Sequence, residues 1–333
     1  METSSIKINL RDGLLINPAE ETSRICEFIR KGVVDVLHRR GGVVGISGGV
    51  DSSVVLALSV RALGAERVLG ILLPEKESSP ESHLLPLKLA EKFNVKTVIE
   101  NITPILEATE CYSRRNEAIQ RVFPEFGEGW KCRISLPGSL LDQDTLNVFF
   151  LIVTDPAGVE HRARLSPRDY QQIVASSNFK QRSRMMALYY HAELRHYAVI
   201  GTPNKNEHDL GFFVKYGDSG TDLNPIVHLF KSQVYQLAHY LDIPAEIIQR
   251  VPTSDTYPGA GSQEEFFFRL PHQLLDQVWW ALENGYSEST IASQLEISEQ
   301  QVKRIKQDIF SKISATTTLR MPSLQITDFN TGR

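Results

Sequence analysis

Cysteine is scarce in this chain: Cys26, Cys111 and Cys132 are the three in 333 residues, and they lie far apart. Their number is odd and their spacing fits neither a zinc site nor a disulfide framework, so free thiols in a reducing cytoplasm are expected. No apolar run approaches membrane-spanning length, and the opening Met-Glu-Thr-Ser-Ser-Ile-Lys lacks the apolar core of a secretory signal. No membrane association is therefore expected. Excess positive charge is missing too: a net charge of −4 argues against general nucleic-acid binding. There are no internal repeats and no low-complexity tract. What is left is a globular composition, 41% hydrophobic and 23% charged, long enough for one large α/β domain with an appendage.

The most informative segment is Gly45-Ile-Ser47-Gly48-Gly49-Val-Asp51-Ser52. It lies between an apolar run, Gly42 to Ile46, that reads as a buried strand, and a helical pattern from Ser53 to Leu63. A Gly-rich loop at a helix N-terminus offers unpaired backbone N–H groups and a positive dipole end to a phosphate. Ser47, Gly48 and Gly49 allow close backbone approach, and Ser52 adds a hydroxyl. Asp51 would be repelled by a polyphosphate unless a cation bridged them, which makes it a candidate Mg²⁺ ligand. The lysine of the common P-loop is missing. The bland alternative is a Gly-Gly turn capping an ordinary helix.

Helical spacing over Pro18–Arg40 is followed by alternating strands and helices at Val43–Ile46, Ser53–Leu63, Arg67–Leu73, Ser79–Phe93 and Lys96–Glu100. This alternation predicts a doubly wound parallel sheet, with ligands off the carboxyl ends of its strands. Residues 123–166 break the rhythm. Val148–Thr154 and Val159–Leu165 flank Asp155-Pro-Ala-Gly158, which predicts a β-hairpin insertion. Helix resumes from Pro167 to about Arg195, then strand Tyr197–Ile200, a polar loop over 201–224, and helix Leu229–Leu241. The turn-rich residues 253–262 suit a mobile lid, and helices are expected at Ser287–Leu295 and Ser298–Ile313. The expected segments are 1–122 and 167–260 for the main fold, 123–166 for the insertion, 261–326 for C-terminal helices and 327–333 for a tail.

The Ser-Gly-Gly-Val-Asp-Ser loop resembles that of the N-type ATP pyrophosphatase (PP-loop) superfamily, whose fold is adenine nucleotide alpha hydrolase-like. Further motifs are Asn178-Phe-Lys-Gln-Arg182-Ser-Arg184, Gly201-Thr202-Pro-Asn-Lys-Asn-Glu207, Gly211 to Asp222, Pro225-Ile226 and Leu229-Phe-Lys231. In combination they resemble ammonia-dependent NAD⁺ synthetase over 15–110 and 175–255. That resemblance implies amidation of nicotinic acid adenine dinucleotide by ammonia through an acyl-adenylate, with ATP as co-substrate and AMP and pyrophosphate released. It implies Mg²⁺ held by Asp51 and Glu207. ATP contacts would come from Gly45, Ser47, Gly48, Gly49, Asp51, Ser52, Leu73, Thr202, Lys231 and Thr253. Asn178, Arg182, Lys215 and Asp222 would line the dinucleotide, Asp218 would take the proton from ammonia, and Lys231 would offset charge on departing pyrophosphate. Arg184 is expected to point away from the face that Asn178 and Arg182 share. A homodimer is implied. No glutaminase segment is visible, so ammonia would arrive free or from a separate glutaminase subunit.

The insertion, the lid sequence and the weakly basic tail depart from the family pattern, which leaves open a relative that amidates a different carboxylate. Residues 287–309 also have a helix-turn-helix look, the mark of a DNA-binding regulator. Glu288, Glu296 and Glu299 place negative charge where phosphates would approach.

Overall fold

The computed structural model describes residues 9–78, 81–136, 138–142, 149–252 and 262–329. After a short α1 (Leu10–Gly13), α2 (Pro18–Arg30) opens on Asn17, whose side chain accepts from the backbone N–H of Ala19 and Glu20, with Pro18 in the first turn. Where the spacing predicts unbroken helix to Arg40, the chain loosens into a π-helical turn over Lys31–Val36.

Among the described residues four strands form the parallel sheet: β1 (Gly42–Gly45), β2 (Val68–Leu72), β3 (Lys96–Ile99) and, much later in the chain, β7 (Ala198–Ile200). Their spatial order is β3-β2-β1-β7, with Val43 opposite both Leu69 and Val199. Side chains alternate across this sheet, and both faces are covered. Val44, Ile46 and Ile200 pack with α2, with α3 (Val50–Leu63) and with later helices, whereas Val43, Ile71 and Val199 pack with Met185, Leu188 and Ala192. Full burial of each such side chain stabilises by about 1.5–3 kcal/mol. The doubly wound expectation is met. Helix α3 begins at Val50 rather than Ser53, because Gly49 takes the N-cap position.

From β2 the chain passes through α4 (Glu81–Lys92) to β3, then α5 (Thr103–Ala108) and α6 (Cys111–Gln120). The insertion contains the expected hairpin as β5 (Phe150–Thr154) and β6 (Glu160–Arg164), but β4 (Lys131–Ser135) joins it as a third antiparallel strand. Only Cys132 and Ile134 of β4 turn inward, too few apolar residues to mark a strand in the sequence. The sheet buries Leu151 and Val153 against Ile119 of α6 and Ile173 of the long α7 (Pro167–Arg195).

After β7 come α8 (Lys205–Leu210), α9 (Lys231–Tyr240) and α10 (Ala245–Ile248). Then follow α11 (His272–Glu283), α12 (Glu288–Leu295), α13 (Glu299–Ala315) and the short α14 (Thr317–Arg320). Helix α11 lies within the segment expected to be helical, 261–326, though its own bounds are not anticipated from the sequence. The helix-turn-helix look is real in outline, since α12 and α13 are joined by a tight turn. Their apolar residues Ile291, Val302, Ile305 and Ile309 are spent on a core shared with Leu275 and Val278 of α11. No helix among the described residues is long and apolar enough to cross a membrane.

Candidate active site

The carboxyl ends of β1 and β7 open on a cavity of about 410 Å³. One wall is the loop after β1. Gly48 has φ +78°, a conformation that favours glycine, and the Gly49 N–H donates to Ser47 Oγ at 3.3 Å. Ser52 Oγ accepts from the Ser47 N–H at 3.4 Å, while Ser53 Oγ donates to the Gly49 carbonyl at 2.8 Å. The hydroxyls thus fold the loop over the start of α3. That helix has no side-chain cap, and Val50, Asp51 and Ser52 of its first turn line the cavity. Gly45, Ser47, Gly49, Asp51, Ser52 and Leu73 all line this space, and Gly48 shapes the turn from behind.

The facing wall comes from the chain after β7. Asn204 and Glu207 form a capping box on α8: Asn204 Oδ1 accepts from the Glu207 N–H at 3.0 Å, and Glu207 Oε2 accepts from the Asn204 N–H at 3.2 Å. The same Asn204 donates through Nδ2 to Asp51 Oδ1 at 3.0 Å, tying the two walls together. Lys231, 1% exposed, places Nζ 2.5 Å from Asp51 Oδ2. Burial raises Glu207 to about 8, and the nearby negative charge of Asp51 adds to that. Desolvation opposes the charge on Lys231, yet Asp51 and Glu207 together hold its pKa above the ordinary value. Asp218 also lines the cavity; burial pushes it up to about 6, against the pull of the Val214 N–H at 2.7 Å and the charge of Arg184.

Behind Lys231 stands a support that the sequence does not advertise. The Lys231 N–H donates to Asn206 Oδ1 at 3.1 Å, and Asn206 Nδ2 donates to Asp276 Oδ1 at 2.5 Å. Asp276 Oδ2 accepts from the Ser232 N–H at 2.8 Å, so α11 caps α9 from outside its own chain segment. Burial raises Asp276 to about 6.

Thr202, Asn178, Glu207, Asp218 and Lys231 thus share one cavity with the phosphate-type loop. Three expected residues do not. Arg182 is exposed, with Nε on the Lys215 carbonyl at 3.3 Å. Lys215 donates to the carbonyls of Thr318 and Met321. Asp222 accepts from the Val199 N–H at 2.8 Å and from the Tyr189 hydroxyl, which finishes the outer edge of β7. Thr253 and nearly all of the expected lid lie outside the described residues. The expectation for Arg184 is overturned: it lines the cavity and donates Nε to the Leu73 carbonyl at 3.4 Å. The cavity face of α7 is centred between Asn178 and Gln181, and a long side chain at 184 reaches it as readily as one at 182 points off it.

The far end of the cavity is aromatic. Phe149, just before β5, stacks on Tyr170 of α7 with centroids 4.2 Å apart and planes 18° from parallel, and both line the cavity beside Val174. The insertion therefore contributes directly to the cavity wall.

The NAD synthase family model matches residues 21–124 and 157–313, leaving most of the inserted sheet between the two matched segments. An NH(3)-dependent NAD(+) synthetase of Mesorhizobium japonicum is 46% identical over 90% of this chain and 93% of its own length. One from Thermotoga maritima is 36% identical over 78% and 86% respectively. Among solved structures, an NMN synthetase from Francisella tularensis superposes with a TM-score of 0.63 at 22% identity, covering 93% of this chain and 99% of that one. At that identity the likeness concerns the fold. The family match, the two relatives and the loop geometry agree: the chain belongs to the NAD synthase family.

Proposed function

We propose that this protein amidates nicotinic acid adenine dinucleotide to NAD⁺ with ammonia, at the expense of ATP cleaved to AMP and pyrophosphate. The observation that carries the reading is the convergence of the Ser47–Ser52 loop with Asp51, Glu207 and Lys231 at the carboxyl ends of β1 and β7. The identity to NH(3)-dependent NAD(+) synthetases supports the substrate.

ATP would lay its phosphates on the loop and its base against Ile46, Ile71 and Leu73. The donor set fits Mg²⁺. Asp51 and Glu207 bring two carboxyl groups to one place; burial, and after it the charge of Asp51, raises Glu207 to about 8, a cost that a cation between the two would offset. Asp51 and Glu207 would hold the ion from the protein side, with oxygens of the polyphosphate as its further partners. Bound there, the ion would neutralise charge on the polyphosphate.

A carboxylate is a poor acceptor for ammonia because oxide is a poor leaving group. Its oxygen attacks the α-phosphorus instead, the bond to pyrophosphate breaks, and an acyl-adenylate forms. Lys231, fixed by Asn206 and Asp276, faces the negative charge that grows on pyrophosphate. Ammonia then adds to the acyl carbon, Asp218 accepts the proton that nitrogen must lose, and AMP departs. The Phe149–Tyr170 wall would receive part of the acid substrate. Ammonia would be taken free or from a separate glutaminase.

A second copy of the chain would cover the stripe Met186, Tyr190 and Leu194 on α7. These residues lie at i, i+4 and i+8 and are 54%, 61% and 64% exposed. Arg182 and Asp222 are exposed and Lys215 is half-buried; at such an interface they would meet the dinucleotide.

The test is release of AMP and pyrophosphate from Mg-ATP with ammonium, with and without the dinucleotide. Release that depends on the dinucleotide, matched by NAD⁺, supports the reading. Binding of Mg-ATP without turnover on that acid would refute it in favour of another carboxylate.

A further inference from the structure

Lys180 is fully buried, with 0% of its surface exposed, yet it does not face the cavity. Its Nζ lies 2.8 Å from Glu75 Oε1 and 2.7 Å from Glu77 Oε2. Arg115 of α6, 3% exposed, grips Glu77 with both terminal nitrogens at 2.7 Å. The Tyr112 hydroxyl donates to Glu75 Oε2 at 2.7 Å, and the Glu77 N–H donates to the same oxygen at 2.9 Å. Two cations meet two carboxylates, so the group is neutral as a whole. Removing one member would leave a buried charge without its partner.

What this network joins is telling. Glu75 and Glu77 lie in the segment after β2, whose Leu73, Pro74 and Ser78 form cavity wall. Lys180 lies on α7 between Asn178 and Gln181, and both of those face the cavity. Arg184, one turn further on, donates to the Leu73 carbonyl. Arg115 and Tyr112 belong to α6, which carries the inserted sheet on its other residues Ala118 and Ile119.

We infer that Lys180 is a positioning residue for the nucleotide half of the site. By clamping Glu75 and Glu77 from α7, it sets the distance between the Leu73–Ser78 wall and the Asn178–Arg184 turn, and so the width of the cleft that takes ATP. The inference rests on the ATP reading above. A long, single-headed cation suits the task because one Nζ can hold two carboxylates from two positions of the same loop. A purely structural role would affect stability alone.

The experiment compares wild type, Lys180→Met and the charge-balanced double variant Lys180→Met/Glu77→Gln. For each, Mg-ATP binding is measured by calorimetry, steady-state KM and kcat by NAD⁺ formation, and Tm by thermal unfolding. Expected is a loss of Tm in the single variant, partial recovery of Tm in the double variant, and an ATP Kd and KM raised about tenfold in both. The KM for the dinucleotide should move less than that for ATP. A double variant that recovers both Tm and ATP affinity would overturn the positioning role, as would a single variant with lowered Tm and unchanged ATP affinity. Wild-type protein that fails to bind Mg-ATP would overturn the ATP reading and this inference together. Tight wild-type binding with unaltered variants would overturn this inference alone.

Discussion

Replacing Glu207 with glutamine should stabilise the ligand-free protein and abolish its activity. Glu207 sits beside Asp51 in a buried cleft, and its pKa is raised from 4.5 to about 8. An acid raised in the fold stays protonated there while the unfolded chain has already ionised. Folded protein then binds more protons than unfolded protein, and stability falls as pH rises from about 4.5 to about 8. The full displacement corresponds to a cost on the order of 5 kcal/mol for ionising Glu207 in the fold. Glutamine keeps the shape and can still accept the Asn204 N–H, so the capping box survives. Urea unfolding of ligand-free protein at pH 5 and pH 8 is the assay. Glu207→Gln should match wild type near pH 5 and exceed it by several kcal/mol at pH 8, following the linkage above. Mg-ATP should narrow the gap by stabilising wild type alone. A variant that loses stability at pH 8, or that shares the pH dependence of wild type, would refute the electrostatic account of the Asp51–Glu207 pair.

Lys231→Met should lower kcat by roughly 10²–10³, the usual loss when a charge-stabilising donor is removed. It should also destabilise the ligand-free protein by about 3 kcal/mol, since Asp51 loses its buried partner; NAD⁺ formation and urea midpoints read the two effects. Asp218→Asn should slow amide formation by about 10² or more while dinucleotide-dependent pyrophosphate release persists. With free ammonia held constant, the wild-type rate should rise through about pH 6 as Asp218 ionises, and the variant should lose that step. Phe149→Ala should raise KM for the dinucleotide about three- to tenfold through loss of an aromatic contact, leaving KM for ATP unchanged. Equal movement of both values would assign Phe149 to the fold rather than the substrate.

The phosphate-type loop was legible because its chemistry is local: strand, glycines, hydroxyls and helix are contiguous in residues 42–63. Glu207 and Lys231 were reachable only through motif resemblance, and their proximity to Asp51 follows from β7 lying beside β1. The choice between Arg182 and Arg184 turned on a rotation of α7 that spacing from Asn178 alone does not fix. Helix α11 lies within the segment expected to be helical, 261–326, but nothing local marks its polar Asp276 and Gln277 as buried. The Asp276–Asn206 support and the Lys180 network join residues distant in sequence, and nothing local marks a buried lysine from an exposed one.

The pairing of β1 with β7 has a consequence for how the protein becomes active. Asp51 and Lys231 are 180 positions apart, and the sheet reaches the second half of the site only through its last strand. A chain emerging from the ribosome can complete β1, β2 and β3 with their helices while the nucleotide cleft still lacks a wall. Loop closure over that span is slow compared with the local βαβ steps. Nucleotide therefore cannot template the early stages of folding. It can only reward the finished one, and competence should appear abruptly, once the last strand has docked.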